Sequence, residues 1–306
     1  MNKNSRVLIV GHDDIIEMSL FRYFQDKGFH SIFSSSFMGI NPSIQPSVYD
    51  FFQKYRPEYV FLASVRSGGI DANRRYGADF IYHNLEAQNN ILYAANKFGT
   101  KKLLFLASSC VYPKGCDQPI KEEYLWTGRL EETSQPYSVA KLAGIELCKA
   151  FKAQYGFNAI IAVPATVYGN QSDFDSNKGH VIAALIGKFC DAVQKGEKEV
   201  VVWGTGTPLR EFLYSDDFVS ACVFLMDNYD GDHIVNIGCG YDVSIKELAD
   251  MIAHITGFTG KITFDTSMPD GVKRKLLDNS RISALGWRPK VGLDEGIRRV
   301  VEKVCG

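Results

Sequence analysis

Short apolar runs alternate with helically spaced stretches over the first half of the chain. "RVLIVG" at Arg6–Gly11 reads as a strand, and Ile15–Lys27 carries apolar positions at helical intervals. "HSIF" is a second strand, and "PSVYDFFQKY" a short helix begun by proline, whose fixed φ suits a first helical turn. "EYVFLAS" (Glu58–Ser64) is a third strand, followed by a helix over Asp79–Phe98 with Phe80, Ile81, Leu85, Ile91, Leu92 and Ala95 on one face. "KKLLFLAS" is a fourth strand, Pro136–Tyr155 a helix and "NAIIAVPA" a fifth strand. Strands that are apolar on both faces and alternate with helices predict a parallel sheet covered on both sides. The fold class is therefore α/β, a Rossmann-type doubly wound sheet, and ligands bind beyond the carboxyl ends of its strands.

After Tyr168 the rhythm changes. "GNQSDFDSNKGH" is polar and loop-like, "VIAALIGKFCDAV" is helical, and "EVVVWGTGTPLREFLYSDDF" gives a strand, a glycine-rich turn and the start of a helix. A helix at Ser244–Thr256, a strand at "KITFD" and a helix at "LDEGIRRVVEKV" follow. The expected organisation is a dinucleotide-binding domain over 1–168 with part of 210–240. The remainder of 169–306 is expected to form a smaller nucleotide-sugar-binding domain.

Composition narrows the function without choosing it. The 306 residues are 45% hydrophobic and 23% charged, an ordinary soluble balance with a core large enough for one or two domains. A net charge of −1 gives no electrostatic footprint for nucleic acid or anionic membrane. No run approaches the roughly 20 apolar residues of a membrane span, and the N-terminal stretch has no signal-peptide pattern. The seven cysteines lack CxxC spacing and the six histidines are dispersed, so no metal site is expected. Cys148, Cys190 and Cys222 lie in apolar helical patterns and read as buried thiols, which suits a cytoplasmic protein.

Two motifs carry chemistry. Tyr137 and Lys141 in "YSVAK" are four apart and share a helix face. An ammonium beside a phenol favours the phenolate, so Tyr137 is suited to donate a proton to a carbonyl oxygen as hydride reaches the carbon. Ser108 lies 29 residues earlier, in "SSCVYP" at the end of the fourth strand, where it adds a second hydrogen bond to that oxygen.

These motifs sit within longer segments: "SGGIDANRRYGADFIYHNL", "KKLLFLASSCVYP", "PIKEEYLWTGRLEETSQPYSVAKLAGIELC", "VYGNQSDFDSNKGHVIAALI", "VVVWGTGTPLREFLYSDD" and "DGVKRKLLDNSR". Together they resemble the extended short-chain dehydrogenases/reductases, and within them the GDP-L-fucose synthase (GDP-4-keto-6-deoxymannose epimerase/reductase) family. The resemblance implies NADPH-dependent reduction at carbon 4 of a GDP-linked 4-keto-6-deoxyhexose or 4-keto-heptose, with epimerisation at carbons 3 and 5. It implies a reductase triad of Ser108, Tyr137 and Lys141, and an epimerising acid/base pair of Cys110 and His180. NADP(H), with NAD(H) as the alternative, is expected at Gly11, Ala63, Tyr137, Lys141 and His180. The nucleotide sugar is expected at Asn177, Lys188, Trp203, Arg210 and Arg274, where arginine forks suit a diphosphate and Lys188 replaces the family's arginine. A homodimer is also implied.

The first turn departs from that pattern. The family reads GxxGxxG where this chain has "GHDDIIE", so Asp14 and Glu17 stand at the second and third glycine positions beside Asp13. Three carboxylates at a helix start suit its dipole but repel a bound phosphate. The resemblance also implies arginines for a 2′-phosphate near this turn and after the second strand, where "SSSFMGINPSIQPS" is uncharged. Two alternatives follow: an epimerase or reductase half alone, or a cofactor-poor binding or regulatory subunit.

Overall fold

The apolar runs form the strands expected of them. The computed structural model describes all residues except 13, 14, 64, 171, 173, 175–180, 269 and 306, and only the backbone at 70 and 71. In chain order the first half comprises β1 (Arg6–Val10), α1 (Ile15–Asp26), β2 (Ser31–Ser34), α2 (Gln45–Tyr55) and β3 (Tyr59–Leu62). It continues with α3 (Ile70–Arg75), α4 (Gly77–Lys97), β4 (Lys102–Leu106), α5 (Gln135–Tyr155), β5 (Ala159–Pro164) and β6 (Thr166–Tyr168). Then come α6 (Val181–Lys195), β7 (Glu199–Trp203), β8 (Leu209–Arg210), β9 (Phe212–Tyr214), α7 (Ser215–Asn228) and β10 (Val235–Ile237). The chain closes with β11 (Val243–Ser244), α8 (Ile245–Thr256), β12 (Lys261–Asp265), β13 (Arg274–Lys275), α9 (Ser280–Ala284) and α10 (Leu293–Val304).

Among the described residues the main sheet has six strands in the order β10-β5-β4-β3-β1-β2. Every neighbouring pair in it is parallel. All five residues of β4 are buried, which explains why its sequence is apolar without alternation. The sheet therefore points the carboxyl ends of β1, β3, β4 and β5 to one edge. That edge receives Gly11, Ala63 and Ser108.

Away from the sheet, α6, α8, α10 and β7 enclose a second apolar cluster that includes Ile186, Phe189, Leu248, Ile252, Ile297 and Val300. The capping box of Ser244 and Glu247 starts α8, each side chain bonding the other residue's backbone N–H. Cys190 corrects its expected state as a free buried thiol: it is disulfide-bonded to Cys305, with Cα atoms 5.5 Å apart. The pairing follows from α10 packing against α6, which brings the end of the chain beside Cys190. Cys148 and Cys222 are free and buried, as expected.

A small sheet, β11-β8-β13, matters most for the site. β13 runs parallel to β8 with Lys275 opposite Arg210 and Arg274 opposite Leu209. Side chains alternate along a strand, so Arg274 and Lys275 project to opposite faces, and Lys275 shares its face with Arg210.

Candidate active site

Beyond β4 the chain enters a 3-10 turn over Ser109–Val111, with Ser108 as its extended N-cap. Ser108 Oγ accepts the amide of Cys110 at 3.3 Å. That bond directs the half-buried Cys110 side chain toward a residue far along the chain, Lys275, whose Nζ lies 3.4 Å from Sγ. Burial pushes the Cys110 thiol up. The charge of Lys275, with hydrogen bonds from Ser108, Lys275 and Ser134, outweighs this and holds it below its ordinary value. Lys275 was not singled out in the sequence; the basic "KRK" of which it is the last residue was the available signal.

Tyr137 and Lys141 occupy the first two turns of α5, which packs against the turn carrying Cys110. Lys141 is only 1% exposed. Its Nζ donates to the Leu106 carbonyl at 2.8 Å and lies 4.7 Å from the centre of the Phe105 ring. A buried ammonium needs such partners. They are within reach because Gly144 lets α5 approach β4: a Cβ there would lie 2.2 Å from Phe105 Cζ and 2.8 Å from Gln88 Oε1. Tyr137 is also buried, its ring edge-on to Phe80.

The expected sugar-nucleotide residues fall into separate groups. Lys188 on α6 stands over the Trp203 ring at 5.1 Å and donates to the Val201 carbonyl at 3.2 Å. Burial lowers its pKa. Trp203 is 48% exposed and so is a surface platform, not core. Arg210 is half-buried, and burial lowers its pKa against the opposing charges of Asp270 and Cys110. Arg274 is held elsewhere: Asp242 takes its guanidinium through two hydrogen bonds of 2.6 and 3.2 Å. Asn177 and His180 lie outside the described residues.

Glu211 was also missed by the sequence reading. It is buried between β8 and β9, and accepts the amides of Gly240 and Leu277 at 2.8 and 2.9 Å. Burial raises its carboxyl to about 7 despite those bonds. It thereby ties the segment bearing Lys275 to the end of β10.

At the other end of the edge, Gly11 follows β1 and Ala63 follows β3, the Ala63 amide bonding the Val10 carbonyl. Glu17, in the first turn of α1, turns inward and is 0% exposed. Its Oε1 accepts Ser34 Oγ at 2.7 Å, Ser35 Oγ at 3.1 Å and the Ser36 amide at 3.2 Å. Its Oε2 accepts Ser36 Oγ at 2.6 Å. Ser35 Oγ also accepts the Gly11 amide at 3.0 Å, closing a clip between the ends of β1 and β2. A Cβ at Gly11 would lie 2.8 Å from Glu17 Cβ, so the retained glycine makes room for the acid that replaces the last one. Asp13 and Asp14 lie outside the described residues.

Among the described residues no group of three or more His, Cys, Asp or Glu side chains could hold a metal ion. Nor is any described helix long and apolar enough to cross a membrane.

Comparison with known proteins agrees with the resemblance read from the motifs. The model of the NAD dependent epimerase/dehydratase family matches residues 9–238. The chain is 44% identical over 301 residues to GDP-L-fucose synthase 1 of Arabidopsis thaliana, covering 98% of this chain and 93% of that protein. It is 40% identical over 301 residues to GDP-L-fucose synthase of Escherichia coli (strain K12), covering 95% and 94%. A solved GDP-mannoheptose C4 reductase from Campylobacter jejuni with NADP bound superposes with a TM-score of 0.90 at 36% identity, covering 99% and 98%.

Proposed function

The chain belongs to the NAD dependent epimerase/dehydratase family, and we propose that within it this protein reduces carbon 4 of a GDP-linked 4-keto sugar, with epimerisation at the carbons beside the ketone. One observation carries the reading. The end of β4 gathers a buried Lys141 near Tyr137 on one helix, and a Cys110 thiol against Lys275 on the adjoining turn. The first pair is equipped for proton donation to an alkoxide, the second for proton removal from carbon.

The reacting end of the site fits a nicotinamide dinucleotide: Lys141 is buried, fixed to the Leu106 carbonyl, and placed on the helix that begins with Tyr137. When bound, that group supplies hydride to carbon 4. Tyr137 donates the proton to the carbonyl oxygen, which Ser108 holds with a second hydrogen bond. The same hold stabilises an enolate, so protons on the neighbouring carbons become removable. Cys110 serves one face, and His180 serves the other. Lys188, Trp203 and Arg210 receive the GDP moiety, with Trp203 offering a flat apolar face. Gly11 and Ala63 line the dinucleotide's path. We assign the sheet unit, 1–168 with part of 210–240, to the dinucleotide and the second cluster to the sugar nucleotide. The protein acts in the cytoplasm as a homodimer.

The test is incubation of the protein with GDP-4-keto-6-deoxymannose in heavy water, with nicotinamide cofactors deuterated at the transferable position, followed by mass spectrometry. Cofactor deuterium at carbon 4 and solvent deuterium at carbons 3 and 5 are expected. Solvent label without cofactor label reduces the reading to an epimerase, and a product without either label removes it.

A further inference from the structure

Cys110 and Lys275 come from distant parts of the chain, and their contact depends on what holds β13 in place. Lys275 carries its ammonium on a flexible four-carbon stem, so its aim follows the position of its backbone. β13 is two residues long and pairs within its sheet with β8. The three amides after Lys275 are bonded by other segments. The Leu276 amide donates to Gln118 Oε1 at 2.9 Å, the Leu277 amide to Glu211 at 2.9 Å, and the Asp278 amide to the Ile120 carbonyl at 2.8 Å. The Ile120 amide returns a bond to the Leu276 carbonyl at 2.7 Å. Two of these partners, Gln118 and Ile120, belong to the loop that leaves the Cys110 turn.

Gln118 is half-buried, and its Nε2 donates to the Cys116 carbonyl at 3.3 Å. A backbone carbonyl on one side and a backbone amide on the other therefore fix which way its carboxamide faces. The bonds close a circuit. It runs from the Cys110 turn through Cys116 and Gln118 to Leu276, and returns from Lys275 Nζ to Cys110 Sγ at 3.4 Å. Arg210 also acts on the thiol by charge, but it lies on β8, outside this circuit.

We propose that Gln118 is a positioning residue for the epimerising half of the reaction: by holding the Leu276 amide it keeps Lys275 against Cys110, and it acts on the thiol only through Lys275. The proposal rests on the reading that Cys110 removes a proton from carbon beside the ketone. Without the Gln118 oxygen, the part-buried Leu276 amide must turn to water for an acceptor, which draws β13 off its seat. The attraction between ammonium and sulfur then weakens with distance and with the water that enters between them.

The experiment is iodoacetamide alkylation of Cys110 across pH, read by peptide mass spectrometry, on the purified full chain without ligand. Wild type is compared with Gln118→Met, Lys275→Met and the double variant; methionine keeps the side chain's length and removes the acceptor. Each single substitution is expected to move the midpoint of the profile up and to slow alkylation severalfold near neutral pH. The double variant is expected to match Lys275→Met alone, because both changes break one link. In heavy water with GDP-4-keto-6-deoxymannose, solvent deuterium uptake beside the ketone is expected to fall about tenfold or more in Gln118→Met, the scale of a small displacement in a reacting site. Gln118→Asn, whose oxygen is drawn back by one carbon, is expected to change both readouts in the same direction and serves if Gln118→Met does not fold. A profile unmoved by either Gln118 substitution overturns the proposal and leaves the role of Cys110 standing. Slowing in the double variant beyond Lys275→Met also overturns it, because Gln118 then reaches the thiol by another route. Absence of solvent label with wild type overturns the role of Cys110 and the proposal with it.

Discussion

Two buried ionisable side chains, Lys141 and Glu17, lie near the carboxyl edge of the main sheet, and they are held in different ways. Lys141 is anchored to a backbone carbonyl, Leu106 O, contributed by a strand 35 residues earlier. Glu17 is gripped by three consecutive serines, the last residue of β2 and the two that follow it. Each depends on a glycine that permits close approach, Gly144 for the lysine and Gly11 for the glutamate. At the reacting end, burial places a cation on the face that carries Tyr137. At the end of β2, burial of Glu17 engages the donors of three successive serines. The same physical requirement, that a buried polar group be hydrogen-bonded, holds Lys141 beside Tyr137 and ties Glu17 to the end of β2.

The largest expected effect tests whether the reacting end does what its geometry suggests. Tyr137→Phe removes the phenolic proton while keeping the ring against Phe80. Ketone reduction, followed by nicotinamide absorbance with the preferred cofactor, is expected to fall about 100- to 10,000-fold, the range for loss of a general acid. Binding of GDP, measured by calorimetry, is expected to stay near wild type. Turnover close to wild type would break the comparison by leaving Lys141 with a structural role only.

The contrast between the two ends was only half legible in the sequence. β1, β3, β4 and β5 were readable because buried parallel strands are apolar on both faces, and the spacing of Tyr137 and Lys141 fixed their shared helix face. β10 was less visible: three residues, "VNI", join the sheet through pairing with distant β5. Lys275 reaches Cys110 across 165 residues of chain, through a two-residue strand that no local pattern announces. Glu17 shows a different failure. Its type and position were plain, and the expectation was a carboxylate facing a bound phosphate. Its direction depended on the space beside Gly11 and on where the β2 serines fall, both properties of packing.

A second test concerns the support of the reacting end. Glu211 holds the segment that carries Lys275, and burial raises its carboxyl to about 7. A carboxyl raised above its unfolded value of about 4.3 contributes stability that is complete below that value and is lost as pH rises through about 7. The loss expected across that window is on the order of 3 kcal/mol. Glu211→Gln cannot titrate, so urea unfolding at about pH 5 and about pH 8 is expected to differ less in the variant than in wild type. Parallel pH profiles would mean that the carboxyl is solvated, and that β13 is positioned by other contacts.

The smallest effect concerns what charges the thiol. Cys110 sits at the reacting end with two kinds of partner, the Lys275 ammonium and the hydroxyls of Ser108 and Ser134, all acting to hold its pKa down against burial. Lys275→Met removes the cation alone. Thiolate then forms at higher pH, and the midpoint of the pH profile for iodoacetamide alkylation of Cys110 is expected to move up. Near neutral pH alkylation is expected to slow severalfold, while Lys275→Arg, which keeps the charge, stays near wild type. Cys116 and Cys239 are also partly accessible, so the rate assigned to Cys110 is the part lost in Cys110→Ser. A profile unmoved by Lys275→Met would show that serine hydroxyls alone set this group's ionisation. Cys110 would then be governed by serine hydroxyls as Glu17 is, and the contrast between a group set by a neighbouring cation and one held by serines would be lost.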